Sequence, residues 1–310
     1  MRRSGDTFGR IQYGLVWSPR LKSGLIKARF TDSPFVPGEC KEATARTPPL
    51  QLSTVGGGAV KNQFFADKHD YFKYDLWLEV AEKLKEKGIQ RLAFIPMLTP
   101  VDSSKEGRKV SYPEGKRRRR LYGFLQFCLG SKRRSITRLR EFLCDEPFEY
   151  HPYRDEDDKG FQNGSWDAYF NAIPHEWLRD AAILMDPDIG LEPKEAPSDK
   201  HVTYKNVGSV LSRCSGNWVV LVVQFLSKGN AHVRERQLQE KLEKLEELHK
   251  QLPPGLANLG SIVWVAEKGR TGLPGELALF AIGASSQTSI RLQALLRRYK
   301  KAHDLLYGHS

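Results

Sequence analysis

Two aspartates separated by a single proline, Asp186 and Asp188, are the residues best suited to chemistry in this chain. They close the stretch Ala181-Ala182-Ile183-Leu184-Met185-Asp186-Pro187-Asp188-Ile189-Gly190-Leu191. A five-residue apolar run that stops in acids is the pattern of a buried parallel strand delivering side chains to a cleft at its carboxyl end. Pro187 ends the ladder and Gly190 permits a tight turn. Beside a nucleotide turned out of its stack, an ionised carboxylate can activate water or stabilise an oxocarbenium-like sugar while the base departs. Asp188, on the turn, is the preferred catalytic group, with Asp186 as its orienter or alternative. As cap or surface-turn residues, the same acids would have no chemical role.

A second cluster lies in Asn62-Gln63-Phe64-Phe65-Ala66-Asp67-Lys68-His69-Asp70-Tyr71-Phe72-Lys73-Tyr74. It leads into a helix predicted over 76–87, where Leu76, Val80, Ala81 and Leu84 recur at helical spacing and Gly88 is a natural C-cap. Acids at a helix start are favoured by its dipole, whereas aromatics interleaved with polar groups suit base stacking. Both readings stay open for Asp67 and Asp70. The candidate base-binding residues are Asn62, Phe65, Asp67, Asp70, Lys73 and Tyr74, with His201 and Gln224 as further groups able to read a base edge or sugar hydroxyls. His201 is equally a simple loop residue, and Gln224 a satisfied polar group at a strand end. Convergence of Asp67, Asp70, Asp186 and Asp188 on Mg²⁺ would instead make a metal-dependent nuclease, but their order matches no metal-ligand motif and no metal is expected.

The net charge is +12 over 310 residues, and its location matters more than its size. Between Lys105 and Arg140 stand 13 Lys or Arg against Glu106 and Glu114, a local charge of +11. Such a concentration favours a polyanion, because cations near phosphates release condensed counterions. The expected partner is DNA, its backbone met by Arg108, Lys109, Lys116, Arg117, Arg118, Arg119, Arg120, Lys132, Arg133 and Arg134. A non-catalytic DNA-binding module would use the same face. Cys40, Cys128, Cys144 and Cys214 form no C-x-x-C pair or Cys/His ligand set, so structural zinc is not expected and free thiols in a reducing cytosol are. No apolar run reaches transmembrane length and no secretory core follows Met1, which implies a cytoplasmic protein without a membrane partner.

Several elements must position these groups. Residues 1–59 hold scattered aromatics and prolines and close on Gly56-Gly57-Gly58, which suggests a small, β-rich appendage and a linker. The remainder, 60–310 with a basic insertion at 103–140, alternates strands and helices. Strands are predicted over 92–97, 183–188, 218–225, 261–266 and 277–283. Helices are predicted over 121–129, 136–142, 169–178, 207–213, 232–251 and 290–306. Residues 145–158 read as an exposed acidic excursion. The alternation describes a Rossmann-like (methyltransferase-like) three-layer α/β sandwich.

From Asn62 onward the chain resembles a bacterial family with an N-Q-[FY]-F-x-D opening and a D-P-D-x-G-L strand end. It is also distantly similar to large-subunit ribosomal RNA adenine-N6 methyltransferases. Their N-x-x-D-x-x-K-H element has Asp67, Asp70, Lys73 and Tyr74 in its four places here, so Asp and Lys are kept while Asn and His are not. Their Asp-Pro-Pro-Tyr tetrapeptide corresponds to Asp186-Pro187-Asp188-Ile189. The resemblance implies the fold and, as an alternative activity, S-adenosylmethionine-dependent methyl transfer to a base amino group. Ile189 cannot stack on a base as that tyrosine does, and no Asp/Glu-x-Gly-x-Gly loop follows the first strand. The chain also resembles a phage-defence DNA glycosylase acting on glucosylated hydroxymethylcytosine, and uracil-type DNA glycosylases place an Asp-Pro pair at a strand end by analogy. The leading expectation is therefore base-flipping N-glycosylase action on a modified base in DNA, with no cofactor.

Overall fold

In the computed structural model, the described residues are 65–99, 118–131, 134–154, 166–194, 198–226, 230–252, 263–268 and 274–307. The expected appendage at 1–59, together with Asn62, Arg108, Lys109, Lys116, Arg117, Lys132 and Arg133, lies outside them. Helix α1 (Lys68–Leu84) starts where the Asp67 carboxylate accepts the backbone N–H groups of His69 (2.8 Å) and Asp70 (3.1 Å), satisfying donors that have no partner within the helix. It tightens into a single 3₁₀ turn over Lys85–Lys87 and stops at Gly88, whose φ of 97° suits glycine. The predicted stop was legible. The start lies eight residues earlier than periodicity suggests, because the aromatics Tyr71, Phe72 and Tyr74 are core residues of the helix itself.

The chain continues through β1 (Arg91–Pro96), α2 (Arg119–Gly130), a 3₁₀ turn over Ile136–Arg138, α3 (Leu139–Leu143), β2 (Glu149–Pro152) and α4 (Trp166–Asn171). A second 3₁₀ turn (His175–Leu178) leads to β3 (Ala181–Asp186), β4 (Gly190–Leu191), β5 (His201–Val202), α5 (Tyr204–Arg213) and β6 (Val219–Phe225). Helix α6 (Ala231–Gln251), the strands β7 (Val263–Lys268) and β8 (Pro274–Gly283), and helix α7 (Ser286–Tyr307) follow. Six strands form one sheet in the order β2-β1-β3-β6-β8-β7, and β4 and β5 form a separate two-stranded pair. Strands β2, β1, β3 and β6 run parallel, while β8 is antiparallel to both β6 and β7. This is a mixed α/β architecture with a mainly parallel centre.

Alternation on the central strands divides the core between two faces. Ala182 and Leu184 of β3, with Val219, Leu221 and Val223 of β6, pack against α1, α2, α3 and α7. Ala181, Ile183 and Met185, with Val220 and Val222, pack against α4, α5 and α6. Burial on both faces explains why β3 and β6 read as continuous apolar runs. The indole N–H of Trp77 donates to the Ala182 carbonyl at 3.0 Å, joining α1 to β3 across the first of these faces.

The excursion expected at 145–158 contains β2, which pairs with β1 from Arg91↔Glu149 to Phe94↔Pro152. An edge strand half open to water needs no apolar run, and proline is tolerated at such an edge. Glu149-Tyr150-His151-Pro152 therefore shows no strand signal of its own. Cys128 and Cys214 are free and buried, while Cys144 is disulfide-bonded, against the expectation of free thiols throughout. No helix among the described residues is long and apolar enough to cross a membrane.

Candidate active site

The chain passes from β1 to β2 on one side of β1, then returns to β3 on the other. The carboxyl ends of β1 and β3 thus flank a point where connections diverge, the place where open α/β sheets leave a crevice. Pro96 and Asp186 stand opposite each other there, and the Met97 N–H donates to the Asp186 carbonyl at 3.0 Å. Both predicted catalytic acids are at this end of the sheet.

Asp186 continues the alternation of β3 toward α1, where it meets Lys73. The Lys73 ammonium lies 2.7 Å from Asp186 Oδ2 and 2.7 Å from Asp70 Oδ1. The three side chains are 10%, 7% and 5% exposed, in the order Asp186, Lys73, Asp70, so their charges are screened by one another more than by water. The second oxygen of Asp70 accepts the Ala66 N–H at 2.7 Å, and Ala66 holds a left-handed φ of 69°. Asp70 thus fixes both the entry to α1 and the lysine one turn further on.

With Asp67 close by, three carboxylates share one cation. Burial, reinforced by Asp70, pushes the Asp67 carboxyl up to about 6. Burial likewise raises Asp186, against the pull of Lys73. Burial pulls the Lys73 ammonium down, but Asp186 and Asp70 outweigh it and hold it above its ordinary value. Tyr74 is fully buried, its ring centroid 5.7 Å from the ammonium, and its hydroxyl has no hydrogen-bond partner among the described residues. Burial and then the two aspartates keep that hydroxyl protonated well above its usual range. Phe65 is a core residue packed edge-on to Phe124.

Asp188 has different surroundings. Thr99, just beyond β1, donates its hydroxyl to Asp188 Oδ2 at 2.9 Å, and the Lys200 ammonium is 3.9 Å from the same oxygen. The Asp188 side chain is 16% exposed, against 10% for Asp186.

Gln224 and His201 serve the turn after β3. Gln224 Oε1 accepts the Leu191 N–H at 3.0 Å and its amide donates to the Phe225 carbonyl at 2.6 Å. Gly190 has a φ of 136°, and a Cβ there would sit 2.7 Å from the Gln224 amide. Side chain and glycine together define the bend. His201 pairs through Nδ1 with Ser198, 2.9 Å from its hydroxyl and 3.2 Å from its backbone nitrogen. Burial, then Lys241, lowers its pKa. From α6, Lys241 donates to the carbonyls of Leu191 and Glu192 and is pushed down to about 8 by burial and by Lys244.

The described basic residues have distinct environments. Arg118 forks onto Glu82 at 2.8 and 2.9 Å and reaches the buried Asp75 at 3.3 Å; the other oxygen of Asp75 accepts the Tyr299 hydroxyl at 2.7 Å. Arg134 donates to the Phe65 carbonyl at 2.7 Å, holding the turn before α1. Arg120 pairs with Asp145 and lies 3.6 Å from Glu146, while Arg119 is exposed on the first turn of α2. Of these four, Arg119 and Arg120 are exposed, and Arg118 and Arg134 brace α1.

Thr99 and Lys241 also contact the site, though neither stands out in the sequence as Asp186 and Asp188 do. A polar residue directly after an apolar strand, as at Thr99, was the available signal; Lys241 sat inside a charged helix with an ordinary explanation. Among the described residues, no group of three or more His, Cys, Asp or Glu side chains is arranged to hold a metal ion. Between Asp70 and Asp186 the cation is Lys73 itself. No family model, curated protein or solved structure matches this chain.

Proposed function

We propose that this strand-end site hydrolyses the N-glycosidic bond of a modified base in DNA. The observation that carries the reading is the division of labour between the two acids: Asp186 is locked by Lys73, while Asp188 is held by Thr99 and remains partly open. In the reaction, a water attacks C1′ of a nucleotide turned out of its stack and gives its proton to Asp188. The C1′–N bond breaks with its electron pair leaving on the base, which takes a proton from solvent, and an abasic sugar remains. The +11 stretch between Lys105 and Arg140 supplies the electrostatic attraction to the strand. The strand order, parallel with an antiparallel pair at one end, supports a Rossmann-like, methyltransferase-like sheet.

Methyl transfer has less support. S-adenosylmethionine needs close backbone approach after the first strand, as glycines provide. Here the described residues at that place are Pro96 and the buried Met97, whose N–H is committed to Asp186. They do not fit such a cradle.

The test is incubation with modified DNA, including glucosylated hydroxymethylcytosine, and with unmodified DNA, each with and without S-adenosylmethionine. Alkali-labile sites are expected without cofactor and in the presence of EDTA. Asp188→Asn is expected to lose at least ~100-fold of the excision rate while keeping strand affinity, the scale of a lost general base. Methyl incorporation without abasic sites would overturn the proposal, as would an Asp188→Asn protein with wild-type rate.

A further inference from the structure

Phe225 is the last residue of β6 and is held at both ends of its peptide unit. Its N–H donates to the Ile189 carbonyl at 2.8 Å, and its carbonyl accepts the Gln224 amide at 2.6 Å. Gln224 is bound in turn to the Leu191 N–H. The backbone of Phe225 is thereby fixed to the turn that carries Asp188. Alternation along β6 places its ring on the α1 side of the sheet, the side that Asp186 faces from β3. The ring is only half-buried, and His69 meets it edge-on with centroids 5.5 Å apart and planes at 87°.

We propose that Phe225 is the platform on which an extruded base rests, so that the aromatic surface comes from the neighbouring strand and not from Ile189. This rests on the nucleobase reading above and adds the element that recognises the base. Every base presents a π-face, so stacking on an aromatic is tolerant of base identity and of substituents at the base edge. A ring already fixed through its backbone loses little freedom on binding. His69 walls one side of the platform, and the Lys73–Asp186 pair lies on the same face of the sheet. The ligand class is a planar heteroaromatic ring attached to a sugar-phosphate strand.

The experiment compares two strands of equal phosphate number, an oligothymidylate and the same length of base-free abasic spacer. The full chain is tested with Phe225 as found, with Phe225→Leu and Phe225→Met to keep apolar bulk, and with Phe225→Tyr to keep the ring. The wild type and Phe225→Tyr are expected to prefer the base-bearing strand by about tenfold, the worth of one base–aromatic stack. Phe225→Leu and Phe225→Met are expected to lose that preference while binding the base-free strand as the wild type does. A purely packing role for Phe225 would leave the preference intact, and that result overturns the inference, as does a wild type without preference. Failure of the wild type to bind either strand overturns both proposals. A Phe225-dependent preference together with no abasic sites in modified DNA overturns the glycosylase reading and leaves the platform standing.

Discussion

Asp67 shows how one residue holds two roles in opposition. As the cap of α1 its carboxylate stabilises the helix start, yet burial and the neighbouring Asp70 make that charge costly. Its carboxyl is raised from 3.8 to about 6, so the folded protein binds this proton more tightly than the unfolded chain does. The resulting contribution to stability is fully present below about pH 4 and is lost as pH rises through about 6, a swing of at most about 3 kcal/mol. Asparagine can still accept the two backbone bonds. Asp67→Asn is therefore expected to flatten stability between pH 4.5 and 7 in urea unfolding and to match or exceed the wild type at pH 8. A variant whose stability falls with pH as steeply as the wild type would remove Asp67 as the cause.

At the scale of elements, α1 is the part that joins the site to the rest of the chain. One face holds Lys73 against β3, and Asp75, two residues later, is buried between Arg118 and Tyr299 of α7. Arg118 is the middle residue of the Lys116–Arg120 run, so spacing alone gave it the same reading as its neighbours. Its geometry marks a brace and not a phosphate contact. Arg118→Met is expected to lower unfolding free energy by about 1–3 kcal/mol, below the usual loss for a fully buried pair because the guanidinium is partly exposed. The slope of log affinity against log salt should stay unchanged, whereas neutralising exposed Arg119 should reduce it by up to about 0.9 if it contacts a phosphate. An equal salt-slope change for Arg118→Met would return it to the DNA-contacting set.

Across the whole molecule, legibility in the sequence followed burial. Strands β3 and β6 were readable because both faces are covered, and α6 because its leucines recur on one stripe. Strand β2 was not, since an edge strand has only one face to hide. The candidate acids announced themselves by ending an apolar run. Their partners did not: Lys73 and Asp186 are 113 residues apart, and Asp188 and Thr99 are 89 apart. Nothing local encodes such pairs. Phe225 was hidden for another reason, because as the last residue of an apolar strand it satisfies the core pattern and asks for no second explanation.

The Trp77 indole has one more consequence. Its N–H is fully enclosed and bound to the Ala182 carbonyl, so solvent deuterium reaches it only when α1 lifts from β3. In a nitrogen-edited spectrum, that proton serves as a slow clock on the floor of the site. It is expected to outlast the indole proton of half-buried Trp177 by orders of magnitude and to slow further when a strand binds. Exchange as fast as that of Trp177 would mean that the helix bearing Lys73 opens without the rest of the fold.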